Sequence, residues 1–184
     1  MRQPGDRAPA PAALALVQDF VNTADLEAGR DGLRTIDDLE AFATTHDLTG
    51  LSFQVVDVAA AGRLREALRD LCQAHTGVDV PPVAGAVLDD LIGAAPLRLV
   101  LDPAGGARAE PAPGLDGLTA VAARMATGIL TAVADGTWPR LKACGAHECR
   151  WVYYDRSPAG RSRWCTMSIC GSRAKMRAYR RRSP

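Results

Sequence analysis

Four cysteines within 27 residues constrain this chain more than any other feature: Cys144, Cys149, Cys165 and Cys170, spaced C-x4-C, fifteen residues, C-x4-C. Two cysteine pairs separated by a hairpin-sized segment are the arrangement of a structural zinc site, because Zn²⁺ takes four ligands in a tetrahedron and thiolates suit it. A closed shell of four sulfurs leaves no position for water, so the ion expected is one structural Zn²⁺ without a catalytic role. Cys144 with His147 is an alternative ligand pair, but it would break the four-cysteine set. The N-terminus carries no basic stretch followed by an apolar run and a cleavage site. No run of about 18 apolar residues occurs either, so no membrane partner is expected. The expected location is cytoplasmic, where a cysteine cluster binds metal more often than it forms disulfides.

The segment between the pairs reads as a hairpin. Trp151 to Tyr154 are aromatic or β-branched, Asp155 to Gly160 are turn residues, and Arg161 to Trp164 are placed to return as the partner strand. Alternation puts Trp151 and Tyr153 on one face and Val152 and Tyr154 on the other, and one aromatic pair is expected to cover the metal. Thr166 reads as a helix N-cap. Cys165 and Cys170 then occupy the N′ and N4 positions, which approach each other at a helix start.

Charge divides the chain sharply. Residues 1–139 hold 10 Lys and Arg against 19 Asp and Glu, and residues 140–184 hold 12 against 2. A basic segment on an otherwise acidic chain points to a polyanionic partner. After Cys170 the spacing predicts a basic helix. Ile169, Ser172, Met176 and Tyr179 form its apolar face, expected to pack on the zinc hairpin. Arg173, Arg177, Arg180 and Arg181 form an exposed face flanked by Lys175 and Arg182. With Arg156, Arg161 and Arg163 from the hairpin, these are the candidate nucleic-acid contacts, arginine being suited to phosphates and guanine edges.

Residues 141–182 resemble the CGNR zinc-finger family. The resemblance is carried by Cys144, Cys149, Trp151, Tyr153, Asp155, Arg163, Trp164, Cys165, Met167, Cys170, Gly171, Arg173 and Lys175. It departs at Ser172, where the family has Asn, and at Thr166, where it has Ser. The larger part is similar to the ABATE domain that usually precedes this finger, through Asp19-Phe20-Val21-Asn22-Thr23, the helix around Leu64-Arg65-Glu66-Ala67-Leu68, and Pro96-Leu97-Arg98-Leu99. The resemblance implies a treble-clef-like finger and a stress-linked bacterial transcription regulator.

The fold class expected is α+β, mainly α, with a helical N-terminal domain bearing a small β-hairpin before the finger. The divisions expected are a disordered lead-in at 1–11, a sensor or dimerisation domain at 12–138, and the finger at 139–184. Helices are predicted over 12–23, 36–45 (capped by Thr35 with Asp38), 58–75 (capped by Asp57), 82–92 and 115–134. Residues 97–101 and 107–112 read as paired strands. Cys72 falls on the buried face of its helix. Asp19, Asn22 and Arg65 are the candidate contacts for a small effector. No Gly-rich phosphate loop, nucleophile elbow or open metal triad occurs, so no enzyme is expected. The function expected is a regulator binding duplex DNA, with a small-molecule effector and a homodimer as further partners. RNA binding and a zinc-dependent protein-interaction module are the alternatives.

Overall fold

The computed structural model describes residues 7–182. The expected lead-in at 1–6 lies outside the described residues. Residues 7–11 differ from a disordered segment, because Ala10 is buried and Arg7 donates hydrogen bonds to the carbonyls of Cys165 and Trp164.

The larger part is built on α1 (Ala12–Val21), α2 (Ile36–Thr45), α3 (Val55–Ala74), α4 (Pro82–Leu88) and α5 (Gly117–Ala134). A short antiparallel pair, β1 (Ala24–Asp25) with β2 (Arg30–Asp31), follows α1. The hairpin of β3 (Leu97–Leu101) and β4 (Ala107–Pro111) precedes α5.

Local chemistry explains most boundaries. Thr35 and Asp38 form the reciprocal capping box expected at the start of α2. The start of α3 is a correction. Gln54, not Asp57, is the N-cap, and Asp57 accepts the Gln54 N–H at 2.8 Å from the third helical position. Val55 and Val56 thus form an exposed first turn that an apolar-periodicity reading leaves outside the helix. At its C-terminal end α4 widens into a π turn over Asp89–Gly93.

The core lies where α1, α3 and α5 meet. Leu14, Val17, Phe20 and Val21 pack with Leu64, Leu68 and Cys72, and with Leu118, Val121 and Met125. Burial pushes the Cys72 thiol up to about 12, so it behaves as a small apolar side chain. By length and composition α5 could cross a membrane, although Arg124 and its threonines interrupt the apolar run. In the fold it is a core helix, with residues such as Val121, Ala122, Ala123 and Met125 buried.

Gly128 sets how closely α1 and α5 approach. A Cβ there would lie 2.1 Å from the carbonyl oxygen of Ala13, a backbone atom that cannot swing aside. Gly128→Ala is therefore expected to destabilise the protein by about 3 kcal/mol through overpacking, despite alanine's better helix propensity. Urea denaturation measures this, and a variant as stable as the parent would show that the two helices separate freely.

Candidate metal centre and basic face

The hairpin that carries the finger is β5 (Leu141–Ala143) with β6 (Val152–Tyr154), in the register Leu141↔Tyr154, Lys142↔Tyr153 and Ala143↔Val152. This corrects the partner expected at Arg161–Trp164, which forms no strand. The reason is what lies across from β6. Leu141, Ala143, Val152 and Tyr154 turn one apolar face into the main core, which Arg161, Ser162 and Arg163 could not supply. Alternation sends Tyr153 to the opposite face, where it packs with Cys144, Cys165 and Cys170, with Trp151 at the edge. Tyr153 is fully buried and its hydroxyl donates to the Ser162 carbonyl at 2.7 Å.

The four sulfurs converge. All lie within 4.8 Å of one another, with Cys149 and Cys170 each 3.6 Å from Cys165. None is in a disulfide. Tetrahedral zinc with sulfur at about 2.3 Å sets its ligands about 3.8 Å apart, so the cluster has the dimensions of a ZnS4 shell. Backbone N–H groups of Cys165 and Ala146 also bond the Cys144 sulfur, and that of Trp151 bonds Cys149. Without a cation the thiols compete for charge. Bonds from Cys149 and Cys165 bring Cys144 down to about 2, while their bonds to Cys144 push Cys149 up to about 12 and raise Cys165, and burial raises Cys170. Four thiolates this close require a cation, and the donor set fits one structural Zn²⁺.

The second pair follows the expected helix start with two changes. Thr166 has extended N-cap geometry, but its hydroxyl makes no cap bond and is buried without a partner. The chain then makes a wide π turn over Met167–Gly171, closed by Gly171 N–H to the Thr166 carbonyl at 3.0 Å, before α6 (Ser172–Arg182).

Three groups that the sequence reading overlooked hold the finger in place. Arg69 is fully buried in α3. Its guanidinium donates to the carbonyls of Val21 at 2.7 Å, Ala24 at 3.2 Å and Arg150 at 3.0 Å, and to the Glu66 carboxylate at 2.9 Å. Arg150, just after Cys149, takes φ +46°, a left-handed conformation that costs a non-glycine residue energy. The Arg69 bond to its carbonyl, with its own side chain on Asp70 and Gln73, holds it there. Lys142 is buried against Asp155 at 2.9 Å and donates to the Gly160 carbonyl. Periodicity could not flag Arg69, which falls on an apolar stripe; the apolar neighbours of Lys142 were the only hint of burial.

Arg173, Arg177, Arg180 and Arg181 of α6 are exposed, and so is its apolar face, expected to pack on the zinc hairpin. Ile169, Met176 and Tyr179 are exposed, because only the start of the helix touches the metal cluster and the rest projects beyond it. Ile169, Ser172, Arg173, Met176, Arg177 and Arg180 line a groove of about 500 Å³. Arg173 pairs with Glu27 of the β1–β2 loop, and Arg177 lies 3.9 Å from Glu148. Lys175, Arg180 and Arg181 are exposed and have no acidic partner among the described residues. The side chain of Arg182 lies outside what is described. Arg161 and Arg163 are exposed, and Arg163 lies over Trp164 at 5.6 Å. Arg156 is exposed as well, but it folds onto the protein surface, donating to the Pro9 carbonyl at 2.7 Å and lying over Tyr154 at 5.2 Å.

Comparison with family models matches residues 140–183 to the CGNR zinc finger, and residues 14–136 to ABATE, described as "Putative stress-induced transcription regulator". The chain belongs to the ABATE family. Comparison with the curated proteins finds no match.

Within the ABATE part, all three candidate effector contacts have internal partners. Asn22 is buried and clamps β6, donating to the Val152 carbonyl at 2.7 Å and accepting its N–H at 2.8 Å. Arg65 forms a two-pronged pair with Asp31, at 2.6 and 2.9 Å, and a further bond to Glu66. Asp19 lines a cavity of about 390 Å³ with Thr23, Phe42 and His46, and its carboxylate is 3.7 Å from His46. Burial pushes the His46 pKa down, against the opposing pull of Asp19. His75 is structural, with Nδ1 2.6 Å from the Leu141 carbonyl and its ring edge-on to Trp138.

Proposed function

We propose that this protein is a cytoplasmic transcription regulator whose zinc-anchored C-terminal segment binds duplex DNA. One observation carries the reading: the four-cysteine cluster ends at the start of α6, and that helix holds Arg173, Lys175, Arg177, Arg180 and Arg181 exposed, with Arg173, Arg177 and Arg180 lining an open groove. A major groove admits such a helix, and arginine matches phosphate and guanine edges. The reading divides the labour between a finger over 139–184 and an ABATE part over 12–138 that senses and dimerises, with Arg182 joining the contacts. The cavity beside Asp19 is the place for an effector. Base stacking of the kind used on single-stranded RNA is disfavoured at Tyr153, which is buried and hydrogen-bonded, whereas Trp151 is half-buried. A protein partner is the second reading, favoured by the exposed Ile169, Met176 and Tyr179 among the arginines.

The test is binding of zinc-loaded protein to pooled genomic DNA across a salt series, with sequencing of what is retained. Six phosphate contacts would give a log–log salt slope of about −5. Arg180→Ala is expected to flatten that slope by about 1. Binding that ignores salt, or no retention at physiological salt, would move the basic face to a protein partner.

A further inference from the structure

The β3–β4 hairpin has a free edge of unusual composition. The bonds from Ala112 N–H to the Pro96 carbonyl and from Asp102 N–H to the Gly106 carbonyl fix its ladder. Inward- and outward-pointing residues alternate along an antiparallel strand. Arg98 and Val100 therefore turn their backbone groups toward β4, and Leu97, Leu99 and Leu101 turn theirs to the outer edge. No other strand pairs with β3 among the described residues. The same three residues project leucine side chains from one face, next to Pro111, Ala109 and Ala107 of β4. Leu99 is 69% exposed and Leu101 70%.

Exposed edges in soluble proteins are ordinarily blunted by lysine, proline, a bulge or a covering element. Here every outward position is leucine. Arg98, on the other face, is held by Glu110 at 2.8 Å, and Arg108 and Asp102 bring the hairpin to neutrality within an acidic part of the chain. No bare charge opposes pairing.

We propose that β3 is a homodimerisation edge, pairing antiparallel with β3 of a second copy about a two-fold axis at Leu99. The sequence of the strand argues for a second copy over any other occupant. Leu-x-Leu-x-Leu reads the same in both directions, so the axis sets Leu99 against its own mate and Leu97 against Leu101. All three become hydrogen-bonded pairs, because these are the residues whose backbone groups are unused. The two hairpins then form one four-stranded sheet, with six leucines side by side on one face. Such an isologous contact is self-complementary and closes at two copies. Edge pairing over five residues is a small interface, in the range of transient complexes. The dimer should accordingly assemble in the micromolar range.

This inference suits the DNA-binding reading, in which two fingers would read two half-sites, but its test contains no nucleic acid. Light scattering coupled to sizing of the zinc-loaded full chain, loaded at about 100 µM, should give twice the 19.5 kDa chain mass. Leu99→Lys should bring the mass close to one chain by weakening association at least a hundredfold, with an unchanged circular dichroism spectrum because the side chain is exposed. The register has its own readout. Paired residues of this kind stand about 5.5 Å apart at Cα, within disulfide reach, so Leu99→Cys should cross-link to itself under mild oxidation. Arg98→Cys, displaced from its own mate by two residues along the strand, should cross-link at least tenfold less. A parent that stays at one chain mass would overturn the proposal, as would a Leu99→Lys protein that remains dimeric or equal cross-linking at the two positions.

Discussion

Removing zinc is expected to lower the thermal midpoint of the whole chain and to abolish DNA retention. The metal shell spans Cys144, Cys149, Cys165 and Cys170, and the hairpin that carries its first pair is not an independent lobe. Leu141, Ala143, Val152 and Tyr154 belong to the same core as Val17, Phe20, Leu64 and Leu68. Loss of the ion leaves four crowded thiols that cannot all ionise, and the β5–β6 hairpin loses the anchor on its outer face. Binding of structural zinc contributes on the order of 10 kcal/mol in small metal domains. The entire stability of a domain is about 5–15 kcal/mol, so the effect should reach α1 and α3 through the shared core and through Asn22 and Arg69. Calorimetry with and without a strong chelator checks this, alongside elemental analysis giving one zinc per chain. Cys165→Ser should reproduce the chelated state. An ABATE part that melts at the same temperature with zinc removed would show that the core is not shared.

Asp155→Ala is expected to cost about 3–5 kcal/mol, the range for leaving a buried charge without its partner. Asp155 is fully buried and Lys142 nearly so. The aspartate also accepts the backbone N–H of Ser157 at 3.0 Å and of Ser162 at 2.8 Å. Its loss strands the ammonium and both amides, and loosens the loop that leads to Cys165. Lys142→Met should cost less, since the carboxylate keeps its two amide donors. Acid sensitivity follows with a definite sign. Burial pushes the Asp155 carboxyl up, but the bonds from Ser157, Lys142 and Ser162 outweigh it and bring the group to about 2. The unfolded value is about 3.9. A depressed folded value means the contribution is present above the unfolded pKa and fades as pH falls from about 4 toward 2. Acid also releases zinc from thiolates, so the readout is the difference in urea stability between the parent and Asp155→Asn. That difference should shrink as pH drops through this window; one that stays constant would contradict the depressed pKa.

The metal centre was legible because ligand spacing and turn chemistry are local properties. Four cysteines at that spacing, strand-forming residues at 151–154 and the cap at Thr35 with Asp38 each act over a few residues, and a linear reading recovers them. The charge division was equally plain. Three features were not legible, for one physical reason: each depends on what stands across a contact from a residue distant in sequence. The strand opposite Val152–Tyr154 is Leu141–Ala143, chosen because its apolar side chains complete the core. Arg69 lies on an apolar helix face and looks like an exception to it until the carbonyls of Val21, Ala24 and Arg150 surround its guanidinium. Ile169, Met176 and Tyr179 have the periodicity of a buried stripe, yet they are exposed, since periodicity states which residues share a face and not whether that face is buried. Composition and spacing by themselves determined the ion, its ligands and the basic character of the last helix. Tertiary packing alone decided that the finger is built into the larger core, and that Arg173, Arg177 and Arg180 of α6, the groove they line, and Leu99 and Leu101 of β3 are exposed.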